Sequence, residues 1–324
     1  MIFKDRDSKK NDLILLKKIL SCNITEKQRF LVTRELSNIQ KGDAGENDAA
    51  YFINFYYGKS PRWAVIHDLR IELNDQVAQI DHLLINRLFD FYILESKSYK
   101  NGIRITKCGE FEAKYNDKFY GIQSPIEQNK RHIHLLDLLL RNENILPKRL
   151  GISIKPKYLN YILISPNSTI DRPPKKDFNT DSVIKADTLK TVIEKNADNA
   201  PITEIGSIAK LSSFSTISEI AKKIISYHSP KQINWIAKFG ITREQLTPVK
   251  SLPANPDKKI ENKYFCAKCK VSIPDNVAKF CWNNKAKFGG RAYCFNCQKS
   301  IENKRVNNGI HLTTSTSGFW KMSQ

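Results

Sequence analysis

The sequence is short of three things. It has no long apolar run: stretches such as "LILL" and "LDLLL" fall far below the roughly 18 residues a membrane helix needs. It opens without an apolar run: "MIFKDRDSKKND" is charged and polar, which is not what is expected of a secretory signal. It is short of acid, with 33 Asp and Glu against 53 Lys and Arg. The first two absences argue against a membrane span and a secretory signal, so a cytoplasmic protein is expected. The third leaves a net charge of +20. A field of that sign suits a polyanion, nucleic acid first and an anionic membrane surface second. The alternative is a basic protein from a Lys-rich proteome. No internal repeat is visible.

What is present fits a globular chain. At 40 % hydrophobic and 27 % charged residues the composition is that of a soluble protein. A length of 324 residues implies two or three domains of roughly 100–200 residues each. Residues 9–40 read as helical, with Thr25 and Gln28 spaced as a capping box. Gly42 and Gly45 predict a break, after which a second helix carries Ala49, Ala50, Phe52, Ile53 and Tyr56 on one apolar face. Three strands follow, over 63–71, 77–86 and 90–98. The short link at 87–90 predicts a hairpin between the last two. "IRIT" and "FEAKY" read as edge strands. Ser124 and Pro125 open a helix over 124–142, and "YLNYILIS" is a further buried strand. The order αβββαβ predicts a mixed α/β core. Residues 181–245 read as helical, and 247–263, with three prolines, as a linker.

The strand "FYILESKS" raises a chemical question, because its apolar half is followed by Glu95 and Lys97. Side chains alternate along a strand, so these two share a face. A turn centred near Leu88 and Phe89 sets Asp81 opposite residues 95–96. Asp81, Glu95 and Lys97 then meet at one sheet edge. The simple reading is a structural ion pair. Yet two partly buried carboxylates repel, at a cost of several kcal/mol unless paired, and one Lys cannot satisfy both. A divalent cation can, and hard oxygen ligands suit Mg²⁺ or Mn²⁺.

An Asp, then Glu-x-Lys at paired strand ends resembles the core of the PD-(D/E)XK nucleases. More narrowly, "GDAGENDAAYFINFYY", "VIHDLRI", "AQIDHLLIN", "FYILESKSYKNG" and "SPIEQNKRHI", in that order, resemble the nuclease-related domain (NERD) family. The resemblance implies a sheet of restriction-endonuclease-like type flanked by helices, and metal-dependent hydrolysis of phosphodiester bonds, in DNA before RNA. It implies roles for Glu46 as a helical acid of the metal site, Asp81 and Glu95 as Mg²⁺ ligands, Lys97 as the site's base or charge stabiliser, and Gln128 as a helical partner. It also implies that the Ser96 carbonyl lies near the metal. Related nucleases often carry Tyr four residues after that Gln; this chain has His132, whose role stays open. His67 and His82 read as packing or surface residues.

Five of the seven cysteines crowd into one segment. "CAKC" and "CFNC" give two C-x₂-C pairs, Cys266 with Cys269 and Cys294 with Cys297, separated by 24 residues. Four such thiolates suit tetrahedral Zn²⁺. In so small a module the metal would supply folding energy on the order of 10 kcal/mol. Cys281 either replaces one of the four or is a buried small apolar residue. From 257 to 324 there are 13 Lys and Arg against 4 Asp and Glu. They are interleaved with Phe280, Trp282, Phe288, Tyr293 and Phe295. That mix suits phosphate contact with base stacking, although some of the aromatics are expected to form a core.

The expected organisation is a helical segment over 1–41, a nuclease core over 42–170, a helical extension over 171–246, the linker over 247–263, and a zinc-ribbon-like module with a tail over 264–324. The leading function is a Mg²⁺-dependent nuclease with a DNA-binding zinc module. The alternative is a non-catalytic nucleic-acid-binding protein that retains the nuclease fold.

Overall fold

The computed structural model describes residues 1–198, 212–246, 264–298 and 300–301. It divides into two compact units, Met1–Val249 and Lys250–Gln324. The expected linker, and the tail beyond residue 301, lie outside the described residues.

The larger unit is built on a six-stranded mixed sheet. Its strands are β1 (Ile2–Lys4), β2 (Trp63–Leu73), β3 (Gln76–Asn86), β4 (Asp90–Lys97), β10 (Lys157–Ile164) and β12 (Val183–Lys185), side by side in that order. β2, β3 and β4 form an antiparallel meander. The β2–β3 turn places Asn74 and Asp75 at positive φ, the conformation a two-residue hairpin favours. β1 joins β2, β10 joins β4 and β12 joins β10 in parallel. The three expected strands are present, as is the hairpin expected between the last two; the antiparallel pairing of the first two extends it to a meander. Two short stretches read as helical surroundings instead contribute the edge strands β1 and β12.

Helices cover both faces. α2 (Glu26–Tyr57) and α4 (Leu189–Asp198) lie against one, α3 (Pro125–Asn142) and α5 (Phe214–Ser226) against the other. Alternation along β4 explains this arrangement: Tyr92 and Leu94 pack with Ala49 and Ile53 of α2, while Phe91 and Ile93 pack with Leu135 and Leu139 of α3. α1 (Lys10–Leu20) packs against α2 with α6 (Trp235–Lys238) through Leu16, Ile19, Val32 and Trp235.

Two further expectations are corrected. There is no break at Gly42 and Gly45: α2 runs unbroken for 32 residues, opened by the Thr25–Gln28 capping box. Gly45 is needed for close packing, since a Cβ there would lie 2.7 Å from the Ser98 Cβ. Tertiary packing outweighs the cost of glycine in a helix, about 1 kcal/mol. "IRIT" and "FEAKY" do not extend the main sheet. β5 (Ile103–Ile105), β6 (Phe111–Tyr115), β7 (Lys118–Ile122) and β11 (Ile170–Asp171) form a second, four-stranded sheet. A small hairpin, β8 (Lys148–Arg149) and β9 (Ile152–Ser153), precedes β10. Among the described residues no helix is long and apolar enough to cross a membrane.

The smaller unit holds a two-stranded ribbon, β13 (Tyr264–Phe265) and β14 (Ser272–Ile273), followed by α7 (Asp275–Asn283) and α8 (Lys285–Phe288). Its core contains Ile273, Val277, Ala278, Cys281 and Phe288.

Candidate active site and candidate metal centres

The backbone leaves its regular ladder where the acids sit. The β2–β3 register runs from His67↔His82 to Leu69↔Ile80, passing over Asp68 and Asp81. In both strands the inward phase slips there. Ala64 and Ile66 face the α3 core, then Leu69 and Ile71; Ala78 and Ile80 face it, then Leu83 and Ile85. Asp68 takes φ +48°, a conformation in which Asp is tolerated better than most side chains. The β3–β4 ladder ends with His82↔Leu94. One step beyond, the Ser96 backbone N–H donates to Asp81 Oδ2 at 2.8 Å. A side-chain carboxylate thus stands in for the next ladder carbonyl and fixes Asp81 against the end of β4.

Glu95 and Lys97 sit in register with Ile162 and Ile164 of β10. Glu95 is 3 % exposed. Its Oε1 accepts from Lys97 Nζ at 2.7 Å and from Gln128 Nε2 at 2.8 Å, from two directions. Gln128 reaches it because α3 is pinned next door. Ser124 caps the helix, and Asn129 Nδ2 donates to the Ile93 carbonyl and to Asn160 Oδ1, each at 2.8 Å. Glu95 Oε2 is buried and has no hydrogen-bond partner. His132 Nδ1 lies 3.7 Å from it, also without a hydrogen bond. Burial, aided by Arg131 and Lys97, holds His132 down at about 4, so its ring is neutral at neutral pH.

A cavity of about 250 Å³ opens on this strand end, lined by Lys41, Gly42, Gly45, Glu46, Asp81, Glu95, Ser96, Lys97, Ser98 and Tyr99. The four polar residues expected at the strand end and on the preceding helix therefore share one cavity, and Gln128 bonds directly to one of them. Burial pushes Asp81 well above the usual carboxylate range, and Glu95 and Glu46 add to the push. Glu95 is raised by burial, with Lys97 opposing and Glu46 adding. Burial and Asp68 raise Glu46, against the pull of Arg6. For Lys97 burial acts downward, but the Glu95 and Asp81 carboxylates outweigh it and raise its pKa. Three acids crowd a site whose own cations do not fully neutralise them.

Sequence reasoning missed two participants. Arg6 Nη2 bridges Asp43 Oδ1 at 2.8 Å and Glu46 Oε2 at 2.6 Å, and Nη1 donates to Asn47. It lies 40 residues before Glu46, where no local pattern announces it. Asp68 is buried, accepts from the Asp7 backbone N–H at 2.9 Å, and leaves Oδ1 without a hydrogen-bond partner. The slip in apolar phase around "IHDL" was the available signal.

In the smaller unit the sulfurs of Cys266, Cys269, Cys294 and Cys297 all lie within 4.8 Å of one another, with Cys269 and Cys294 at 3.6 Å. A tetrahedron with zinc–sulfur bonds of roughly 2.3 Å has edges of about 3.8 Å, so the cluster fits one such ion. Burial acts upward on Cys266, but the backbone N–H groups of Cys269, Cys294 and Lys268 outweigh it and lower the thiol to about 6. Cys297 is pushed up to about 12 by burial and by its thiol neighbours. Cys281 is outside the four. It is fully buried, takes hydrogen bonds from the Tyr293 N–H and Gln298 Nε2, and packs in the core. Phe288 is also core, whereas Phe280 and Phe295 are exposed, as is Phe265.

An α/β domain with an acid–acid–lysine strand end is the class that this geometry defines. Residues 41–163 match the family model of the nuclease-related domain (NERD). Neither the curated proteins nor the solved structures yield a match to this chain.

Proposed function

We propose that this protein is a divalent-metal-dependent nuclease of PD-(D/E)XK type, with a sheet of restriction-endonuclease-like kind, that hydrolyses phosphodiester bonds in DNA in the cytoplasm. The carrying observation is the Glu95 carboxylate: 3 % exposed, beside Asp81, with Oε2 lacking any hydrogen-bond partner. A buried charged oxygen left unpaired costs several kcal/mol, and a hard cation shared with Asp81 would relieve it. Asp81 and Glu95 would hold that cation, with Glu46 at its margin. When bound, Mg²⁺ or Mn²⁺ acidifies water and draws charge from a phosphate.

The remaining roles belong to the chain. Gln128 and Lys97 both bind Glu95 Oε1 and so fix the carboxylate's orientation. Lys97, held in its charged form by Glu95 and Asp81, orients the attacking water and offsets negative charge developing on the phosphate. The Ser96 N–H holds Asp81 in place. In the smaller unit the four cysteines would hold Zn²⁺. Exposed Phe265, Phe280 and Phe295, set among lysines, suit contact with bases and phosphates.

A second reading, a nucleic-acid-binding protein without catalysis, has one observation on its side. The Lys97–Glu95 and Arg6–Glu46 pairs already compensate two of the acids. Incubation of the full chain with linear and circular DNA in Mg²⁺, Mn²⁺ or EDTA separates the two. Metal-dependent cutting of circles gives an endonuclease, and loss only from ends an exonuclease. Binding without cutting in either metal would replace the first reading by the second.

A further inference from the structure

Beneath the strand end a polar chain crosses the sheet through its interior. His67 on β2 and His82 on β3 are both fully buried. Their Nδ1 atoms are 2.7 Å apart, with the rings edge to face. His67 Nε2 lies 2.9 Å from Asn54 Oδ1 on α2, and His82 Nε2 lies 2.9 Å from Ser96 Oγ on β4. Every ring nitrogen of the pair therefore has a partner.

The Asn54 end fixes the direction of the chain, since the Ser96 hydroxyl can donate or accept. Asn54 Oδ1 can only accept, so His67 carries its proton on Nε2 and accepts at Nδ1. His82 must then donate from Nδ1, which leaves its Nε2 to accept from the Ser96 hydroxyl. Burial agrees with two neutral rings: it lowers His67 to about 4, and it holds His82 well below the ordinary histidine value, with His67 adding to the effect. An apolar pair would pack in this interior without needing any hydrogen bond, whereas an orphaned buried nitrogen would carry the full desolvation penalty of an unpaired polar group. What the chain supplies in return is a fixed rotamer and backbone position at Ser96. Ser96 is the residue whose N–H grips Asp81 Oδ2 and whose neighbours are Glu95 and Lys97.

We propose that His67 and His82 are positioning residues, a buried relay from Asn54 to Ser96 that holds the end of β4 and, through the Ser96 N–H, the carboxylate of Asp81. This rests on the nuclease reading for its catalytic consequence but not for its existence. Asn54 is the informative handle. It lies eight residues from Glu46 along α2, about 12 Å by helical rise, and it is only partly buried, so replacing it spares the core.

Two measurements on the full chain test the relay. Nitrogen-15 spectra of labelled histidine should show His67 protonated on Nε2 and His82 on Nδ1; any other tautomer pair overturns the relay. Asn54→Leu should shift the Ser96 amide resonance and lower kcat about tenfold with KM unchanged. Asn54→Asp, which keeps an acceptor oxygen, should restore both. An unmoved Ser96 amide, or wild-type kcat in Asn54→Leu and His82→Phe, overturns the positioning role. If the wild-type chain cuts no DNA, the nuclease reading fails by itself, and the tautomers and the Ser96 amide still decide the relay.

Discussion

The two candidate metal sites are built on opposite principles. The cysteine cluster is local: each C-x₂-C pair sits on one turn of backbone, and a short chain brings the pairs within 4.8 Å. The carboxylate site is assembled from β3, β4, α2 and α3, over residues from Arg6 to Gln128. In the larger unit two packed cores flank the sheet and hold the acids together against their repulsion. Among the described residues of the smaller unit, one modest core surrounds the thiols. The difference teaches where metal matters for folding. It should be nearly dispensable to the structure of the first site and close to essential for the second.

The largest effect should therefore come from zinc removal. Stripping the full chain with a strong chelator, then returning Mg²⁺, should collapse the amide dispersion of residues 264–301, a loss on the order of 10 kcal/mol. The thermal transition of the larger unit should stay in place. Retained dispersion in the metal-free module would break the comparison.

A smaller effect of opposite sign is expected at the acids. Folding raises the pKa of Asp81, Glu95 and Glu46. Above the usual carboxylate range of about 4 the folded, metal-free unit then binds more protons than the unfolded chain. Its stability from these groups falls as pH rises through that window. Asp81→Asn should be more stable than wild type in EDTA by roughly 1 kcal/mol at pH 7, or ~2–4 °C. The gap should shrink toward pH 4, and Mg²⁺ should stabilise wild type increasingly as pH rises. Thermal melts of both proteins across pH, with and without Mg²⁺, measure this; a variant less stable in EDTA at every pH would contradict it.

The smallest expected change is Gly45→Ala. Helix propensity alone would gain about 1 kcal/mol, but the new Cβ meets Ser98 at 2.7 Å, an overpacking cost of ~1–3 kcal/mol. The net should be a slight loss in urea midpoint, with a larger loss of activity as α2 is pushed from the end of β4.

Much of this architecture was legible in the sequence. The Thr25 cap, the Ser124–Pro125 helix start and the 87–90 link are local signals. The link alone was enough to bring Asp81 to Glu95 and Lys97. Gly45 was misread because a glycine that breaks a helix and one that lets a helix approach a strand look alike until the partner, Ser98, is known. Arg6 was invisible because its partners lie some 40 residues away. His67 and His82 read as packing or surface residues; they are buried, and only the sheet register shows that they bond to each other. The phase slip that frees Asp68 and Asp81 from the ladder was in the apolar pattern all along, but it acquires meaning only once a cavity opens over it.

The most direct test of the account is the rate at which the full chain cuts supercoiled DNA in Mg²⁺, compared with Lys97→Ala and with wild type in EDTA. The account predicts cutting by wild type in Mg²⁺, none in EDTA, and a fall of about 10²–10³-fold or more in Lys97→Ala with its thermal transition retained. Equal rates for wild type and a folded Lys97→Ala, or cutting that persists in EDTA, would contradict it.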